Sequence, residues 1–228
     1  MSLPKLETPT YKTKIPSTDK LIEFRPFLVK EEKLLLMASE GKNKDSNEIA
    51  KRLLKSCILT EINIEDLTTF DVEFLFLELR SKSVGAEVSL MIGCEKCSEK
   101  SSVEINLEED VYVEGKLKDI EMKIPVSNTV GIEMKCPTID DLDGTSNEPI
   151  DMIMSCIKSV YDDKSVYNVS DYTKKELREF VDSLSMKDIQ KIQNFFESLP
   201  KVKCKTKFKC ASCGTDNNFD IEGLSNFF

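Results

Sequence analysis

The sequence predicts an α+β fold, with a helical N-terminal part and a C-terminal helical hairpin around a small antiparallel sheet. Three observations predict it. Residues 86–136 and 201–222 read as strands, while the stretches before and between them carry helical spacing and caps. Two Cys-x-x-Cys pairs, Cys94–Cys97 and Cys210–Cys213, each sit between strand-like runs. The stretch 201–209 alternates lysine with Val202, Cys204, Thr206 and Phe208, which is the period of a half-buried strand.

Five segments follow in order. Residues 1–28 are expected to form an extended N-terminal arm. Pro4, Pro9, Pro16 and Pro26 fall there out of 8 prolines in the chain, and that density favours extended chain with short edge strands. Thr10–Ile15 and Leu21–Arg25 are the expected strands, joined by a turn at Ser17-Thr18-Asp19. Such an arm lies over its own domain or over a partner. Residues 29–85 are helical. Lys30–Glu40 favours helix and Gly41 stops it. Asp45 with Glu48 is a capping-box pattern, and Ile49, Leu53, Cys57 and Ile58 give the following helix one apolar face. Thr68 with Asp71 opens a third helix through Lys82. Val72, Phe74, Leu75, Phe76, Leu77 and Leu79 make it apolar nearly all round, as in a buried helix. A buried strand is the alternative over so short a run.

Residues 86–136 are strand-rich and hold the first Cys pair. The expected strands are Ala86–Ile92, Ser102–Leu107, Leu117–Ile124 and Val130–Cys136, with a turn at Ser127-Asn128. Residues 137–200 are expected to be helical. Asp140, Asp141 and Asp143 in the loop 137–148 read as a solvated turn, since a calcium loop needs more oxygen ligands at fixed steps. Pro149 suits a first helical turn, and Ile150, Ile153, Met154, Ile157 and Val160 make a helical stripe. Thr173 with Glu176 and Ser185 with Asp188 start two more helices, joined near Ser183–Ser185 as a hairpin and ended by Pro200. Residues 201–228 form a strand pair with the second Cys pair and an aromatic tail, Asn226-Phe227-Phe228. Aromatics are costly to leave in water, so the tail either packs back or meets a partner.

The 228 residues suffice for a sizeable core, at 40% hydrophobic content. The net charge is −9, from 32 basic and 41 acidic residues. That balance disfavours general nucleic-acid binding, which needs a basic face to neutralise phosphate. The lysine row at 201–209 is then the wet face of a strand, where it also blunts an edge against mispairing. No apolar run reaches the ~20 residues of a membrane span. The opening Met-Ser-Leu-Pro-Lys has no apolar core segment, so no secretion signal is expected. Eight cysteines in such a chain should be reduced thiols or metal ligands. Histidine is absent, which removes the commonest general base and the Cys–His and Ser–His pairs. The Gly-rich phosphate loops are absent too.

Four thiolates in two matched pairs suit a tetrahedral zinc ion. The expected element is a four-cysteine zinc ribbon with Cys94, Cys97, Cys210 and Cys213 as ligands. A closed site of this kind is structural, and it ties the middle of the chain to its C-terminal part. Gly214 after Cys213 suits the turn, and Ser98 takes the matching place after Cys97 less comfortably. A redox dithiol is a competing reading, but it expects a pair at a helix N-terminus. A zinc-ribbon nucleic-acid binder using the lysine row is another. The lone thiols Cys57, Cys136, Cys156 and Cys204 lie on apolar faces and read as core packing.

The stretches YKTKIPSTDKLIEFRPFLVKEEKLLLMA (Tyr11–Ala38), GIEMKCPTIDDL (Gly131–Leu142), MSCIKSVYD (Met154–Asp162), FFESLP (Phe195–Pro200) and FKCASCGTDNNFDIEGLSNFF (Phe208–Phe228) carry a family resemblance. Phe24-Arg25-Pro26-Phe27, followed closely by Lys-Glu-Glu, is its most specific piece. The chain resembles the T4-type bacteriophage baseplate hub subunit family across essentially its whole length. The resemblance implies a non-enzymatic protein of contractile-tail assembly that works by contact with baseplate hub proteins. It implies the host cell cytoplasm during assembly as the setting, and leaves open whether the protein stays in the virion tail baseplate. It supplies no catalytic residue.

Overall fold

Alternating polar and apolar residues near the N-terminus close into a hairpin in the computed structural model, which describes residues 6–33, 46–142 and 148–222. Strands β1 (Tyr11–Lys14) and β2 (Leu21–Phe24) pair antiparallel, with Tyr11 opposite Phe24. Ile15, Ile22 and Phe24 are buried. The hairpin of the expected arm therefore packs into the core of its own unit, through the face that carries Ile15, Ile22 and Phe24. Residues 29–33 are helical. The rest of the Lys30–Glu40 helix, Gly41, the Asp45 cap, Pro4, Asp143 and the tail Asn226-Phe227-Phe228 lie outside the described residues.

The chain divides into two compact units. The first is drawn from Met1–Ile64, Phe70–Glu114 and Lys201–Phe228. Besides the hairpin it contains helices α1 (Ser46–Cys57) and α2 (Thr69–Ser83). Leu53, Leu54 and Cys57 of α1 are fully buried. The apolar run at 70–79 is a helix, with Phe70, Val72, Leu75, Phe76, Leu77 and Leu79 all buried. Asp71, in its first turn, is also buried and accepts the backbone N–H of Ser17 at 2.9 Å, tying the helix start to the β1–β2 turn.

Strands β3 (Glu87–Gly93) and β4 (Lys100–Asn106) form an antiparallel hairpin. Strand β5 (Val111–Glu114) pairs with β10 (Lys201–Lys209), which pairs with β11 (Asp216–Glu222), giving the order β11-β10-β5. The alternation read at 201–209 is realised. Val202, Cys204 and Thr206 are buried, while Lys205, Lys207 and Lys209 are exposed.

The second unit comprises Glu65–Thr69 and Gly115–Pro200. Its antiparallel sheet runs β6 (Lys123–Pro125), β7 (Val130–Met134), β8 (Ile157–Asp162), β9 (Val166–Asn168). Helices α3 (Ile139–Leu142), α4 (Pro149–Ser155), α5 (Lys174–Asp182) and α6 (Met186–Ser198) complete it. Ile132, Met134, Ile153, Cys156, Ile157, Val181, Ile192 and Phe195 meet in one core. Both capping boxes of the α5–α6 hairpin form. Thr173 and Glu176 exchange side-chain and backbone hydrogen bonds, as do Ser185 and Asp188.

Two expectations are corrected here. The stretch Leu117–Ile124 is not one strand. Leu117–Asp119 is a turn of 3-10 helix, and only Lys123–Pro125 is extended. Ile120 and Met122 pack against the core beside the buried Ile124, but the 3-10 turn at Leu117–Asp119 breaks the extended chain before them. The stripe from Ile150 to Val160 is not one helix either. The helix ends at Ser155, and Ile157–Asp162 becomes a central strand between β7 and β9. Its β-branched and aromatic residues fit a pleated surface. Hydrogen bonding on both sides within the sheet outweighs the local helical spacing. The segment 137–200 is thus helices interrupted by a strand pair.

Candidate metal centre

Each Cys pair occupies the turn of an antiparallel hairpin, β3–β4 for the first and β10–β11 for the second. The two turns are built alike. Cys94 N donates to Glu99 O at 2.9 Å and Ser98 N donates to Cys94 O at 2.8 Å. In the second hairpin, Cys210 N donates to Thr215 O and Gly214 N to Cys210 O, both at 2.9 Å. The residue after each pair takes a left-handed backbone, φ 58° at Ser98 and 72° at Gly214. Glycine adopts that conformation freely, whereas serine does so at a cost. The asymmetry read from the sequence is therefore real, and the two turns are nonetheless equivalent.

The hairpins bring all four sulfurs together. The Sγ atoms of Cys94, Cys97, Cys210 and Cys213 lie within 4.8 Å of one another. Cys94 Sγ is 3.6 Å from Cys213 Sγ, and Cys97 Sγ is 3.6 Å from Cys210 Sγ. Both contacts run between hairpins. A disulfide would need about 2.05 Å, and all eight cysteines are free. A tetrahedron with metal–sulfur bonds of about 2.3 Å has edges of roughly 3.8 Å, close to the spacing seen. Cys94 and Cys210 are buried, while Cys97 and Cys213 are exposed. Four soft donors in this arrangement could hold a metal ion.

The local electrostatics differ across the cluster. The backbone N–H groups of Cys97 and Lys96, with the Asn217 amide, hold the Cys94 thiol below its ordinary value. The hydroxyl and N–H of Thr215 bring Cys213 down to about 6. Cys97 goes the other way. The Glu99 N–H lowers it, but the neighbouring thiols of Cys213, Cys210 and Cys94 outweigh that and push it up to about 12. Sulfurs this close cannot all ionise without a cation among them. By contrast, burial pushes Cys57, Cys156 and Cys204 up to about 11. These three and Cys136 are buried, in keeping with core packing.

Sequence reasoning missed Asn217. It is 1% exposed and sits beneath both turns. Its Oδ1 accepts the N–H of Glu95 at 3.0 Å, and its Nδ2 donates to Thr215 O at 2.9 Å. A signal for it exists, because Asn217 shares the strand face of Phe219 and Ile221, the partly buried face of β11.

Three other singled-out residues have structural partners. Lys203 bridges Glu114 at 2.7 Å and Glu222 at 3.2 Å, which raises its ammonium above the ordinary value. Lys205 lies over the Tyr112 ring at 4.5 Å. Asp141 accepts from Lys135 Nζ at 2.8 Å and from the N–H and hydroxyl of Thr138, the residue that precedes α3, and so holds the start of that helix.

A two-unit α+β protein whose sequence-distant hairpins meet at a four-sulfur cluster is the class these features define. The chain belongs to the family described as T4 bacteriophage base plate protein, whose model matches residues 8–228. Membership ties it to the baseplate of the phage tail and to other baseplate proteins as partners. No curated protein and no solved structure matches the chain. Among the described residues no helix is long and apolar enough to cross a membrane.

Proposed function

We propose that this chain is a non-enzymatic protein of baseplate central hub assembly, acting as hub subunit or assembly factor through contacts made by a zinc-stapled scaffold. The observation that carries the staple is the convergence of Cys94, Cys97, Cys210 and Cys213 from two hairpins within 4.8 Å. Sulfur-only donors at near-tetrahedral spacing favour zinc among common divalent ions. With all four positions filled by protein, the ion has no open site for water and serves the fold. Structural zinc contributes on the order of 10 kcal/mol in small domains, and here it would fix β3–β4 against β10–β11. The hub role rests on family membership and on the likeness of the Phe24–Phe27 stretch to hub subunits.

Native mass spectrometry of the full chain tests the staple. One zinc per chain is the expected result, and a metal-free protein at neutral pH removes the staple. A pull-down from infected cells, set against the composition of purified tails, tests the hub role. Recovery of hub proteins supports it, and recovery of none overturns it. Presence in purified tails then distinguishes a subunit from an assembly factor.

A further inference from the structure

Among the described residues the outer edge of β3 has no strand partner. In the described residues β3 pairs only with β4. Leu107 N donates to Ala86 O, and Cys94 N donates to Glu99 O. These two bonds fix the phase of the hairpin ladder. Residues 88, 90 and 92 turn their backbone groups toward β4, so Glu87, Ser89, Met91 and Gly93 turn theirs outward. All four are exposed, Met91 at 64%. Other edges carry devices against pairing, namely Lys14 on β1, Asp220 on β11 and Pro125 on β6. β3 spans 7 residues with no lysine and no proline. Its one outward charge, Glu87, sits at the end of the strand, so the rest of this edge carries no such device and is a template for another strand.

The strand is complementary to itself. When β3 is laid antiparallel against a second β3 about a two-fold at Leu90, each outward-facing residue meets another. Ser89 falls opposite Met91 of the second copy, and Glu87 opposite its Gly93. Every hydrogen-bonded position is thereby matched, for about eight main-chain bonds across the seam, two per pair. Val88 falls opposite Ile92 and Leu90 opposite Leu90, joining the half-buried faces of both hairpins. The strand's single charge, Glu87, meets glycine and not its own copy, so no like charges oppose. We propose that β3 is the contact surface for a second copy of this chain, forming a two-fold dimer with a continuous β4-β3-β3-β4 sheet.

Sedimentation velocity over a concentration series, with amide exchange on the same samples, tests this. The full-length protein is expected to dimerise, with concentration-dependent protection of Glu87, Ser89, Met91 and Gly93. Met91→Pro removes an outward N–H and spares the bonds to β4. It should give a monomer whose β4 amides stay protected. The double variant Ser89→Lys/Met91→Lys, which keeps the backbone intact, should do the same. A wild-type chain that stays monomeric at its highest soluble concentration overturns the proposal. A dimer that survives both variants overturns it too.

Discussion

The side-chain carbonyl of Asn217 accepts the backbone N–H of Glu95 at 3.0 Å, across 122 residues of sequence. Its amide group donates to Thr215 O at 2.9 Å. One buried side chain therefore clamps the two Cys turns together from below. A clamp of this kind would reduce the ordering that binding of the proposed ion has to impose. Asn217→Ala should weaken zinc binding about 10- to 100-fold, the range seen when residues orienting metal ligands are lost. It also takes away the partner of the Glu95 N–H, while Thr215 O keeps the Cys210 N–H, which should cost about 1 kcal/mol. Asn217→Asp keeps the acceptor for Glu95 but loses the donor and adds negative charge beside thiolates. Its affinity should also fall, as measured by competition with a chromophoric chelator. Unchanged affinity in Asn217→Ala would show that the turns hold themselves.

Acid should release the proposed zinc. Thiolates bind zinc and thiols do not, so affinity falls as pH falls. Zinc release followed with a colorimetric indicator should rise as the solution is acidified. The loss should track exchange protection in residues 87–106 and 201–222 while the core of the second unit keeps its protection. A uniform loss of protection across both units would mean that the staple holds more than its two hairpins.

Local patterns are legible in the sequence and pairings are not. The capping boxes at Thr173–Glu176 and Ser185–Asp188 can be read because each is complete within four residues. The Cys turns announce themselves in the same way. Strand β8 reads as helix because Ile157 and Val160 continue a helical spacing begun at Ile150. What makes them a strand is β7 and β9 on either side, and no short window contains that. Asn217 escapes notice because a polar residue in Asp-Asn-Asn-Phe-Asp reads as solvent-facing. Only the phase set by Phe219 and Ile221 turns it inward.

Gly131 is held to glycine by an aromatic ring. It lies opposite Tyr161 in the β7–β8 register, and a Cβ at this position would overlap the ring. Lys123 Nζ sits 5.7 Å from the centre of that same ring. Gly131→Ala must push the tyrosine off its glycine and away from the lysine. A cost of about 1–3 kcal/mol is expected, the usual range for overpacking. Tyr161→Ala should relieve it, so the double variant should be more stable than the sum of the single effects. Additive losses in chemical denaturation would show that the ring and the glycine do not constrain each other.

Arg25 and Glu31 give the first unit a second source of acid sensitivity. The guanidinium donates to Glu31 Oε1 at 2.9 Å, to Ser56 O at 2.8 Å and to Pro26 O at 2.9 Å. Glu31 also accepts the Leu28 N–H at 2.8 Å, and it is 2% exposed. One ion pair thus joins the end of β2, the end of α1 and the helical turn at 29–33, which gives the Phe-Arg-Pro-Phe stretch a structural reason. Burial alone would raise the Glu31 carboxyl, but Arg25, the Leu28 N–H and Lys30 outweigh it and hold the group below its ordinary value. A carboxyl lowered by folding adds stability that is fully present above its unfolded value. That stability is lost as pH falls through the ordinary carboxylate range toward the folded value. Glu31→Gln leaves a largely buried guanidinium without its counter-charge and should cost roughly 3 kcal/mol at neutral pH. Denaturation of both proteins at falling pH checks the sign. The gap between wild type and Glu31→Gln should shrink as Glu31 protonates, and a gap that stays constant would assign the acid sensitivity to other carboxylates.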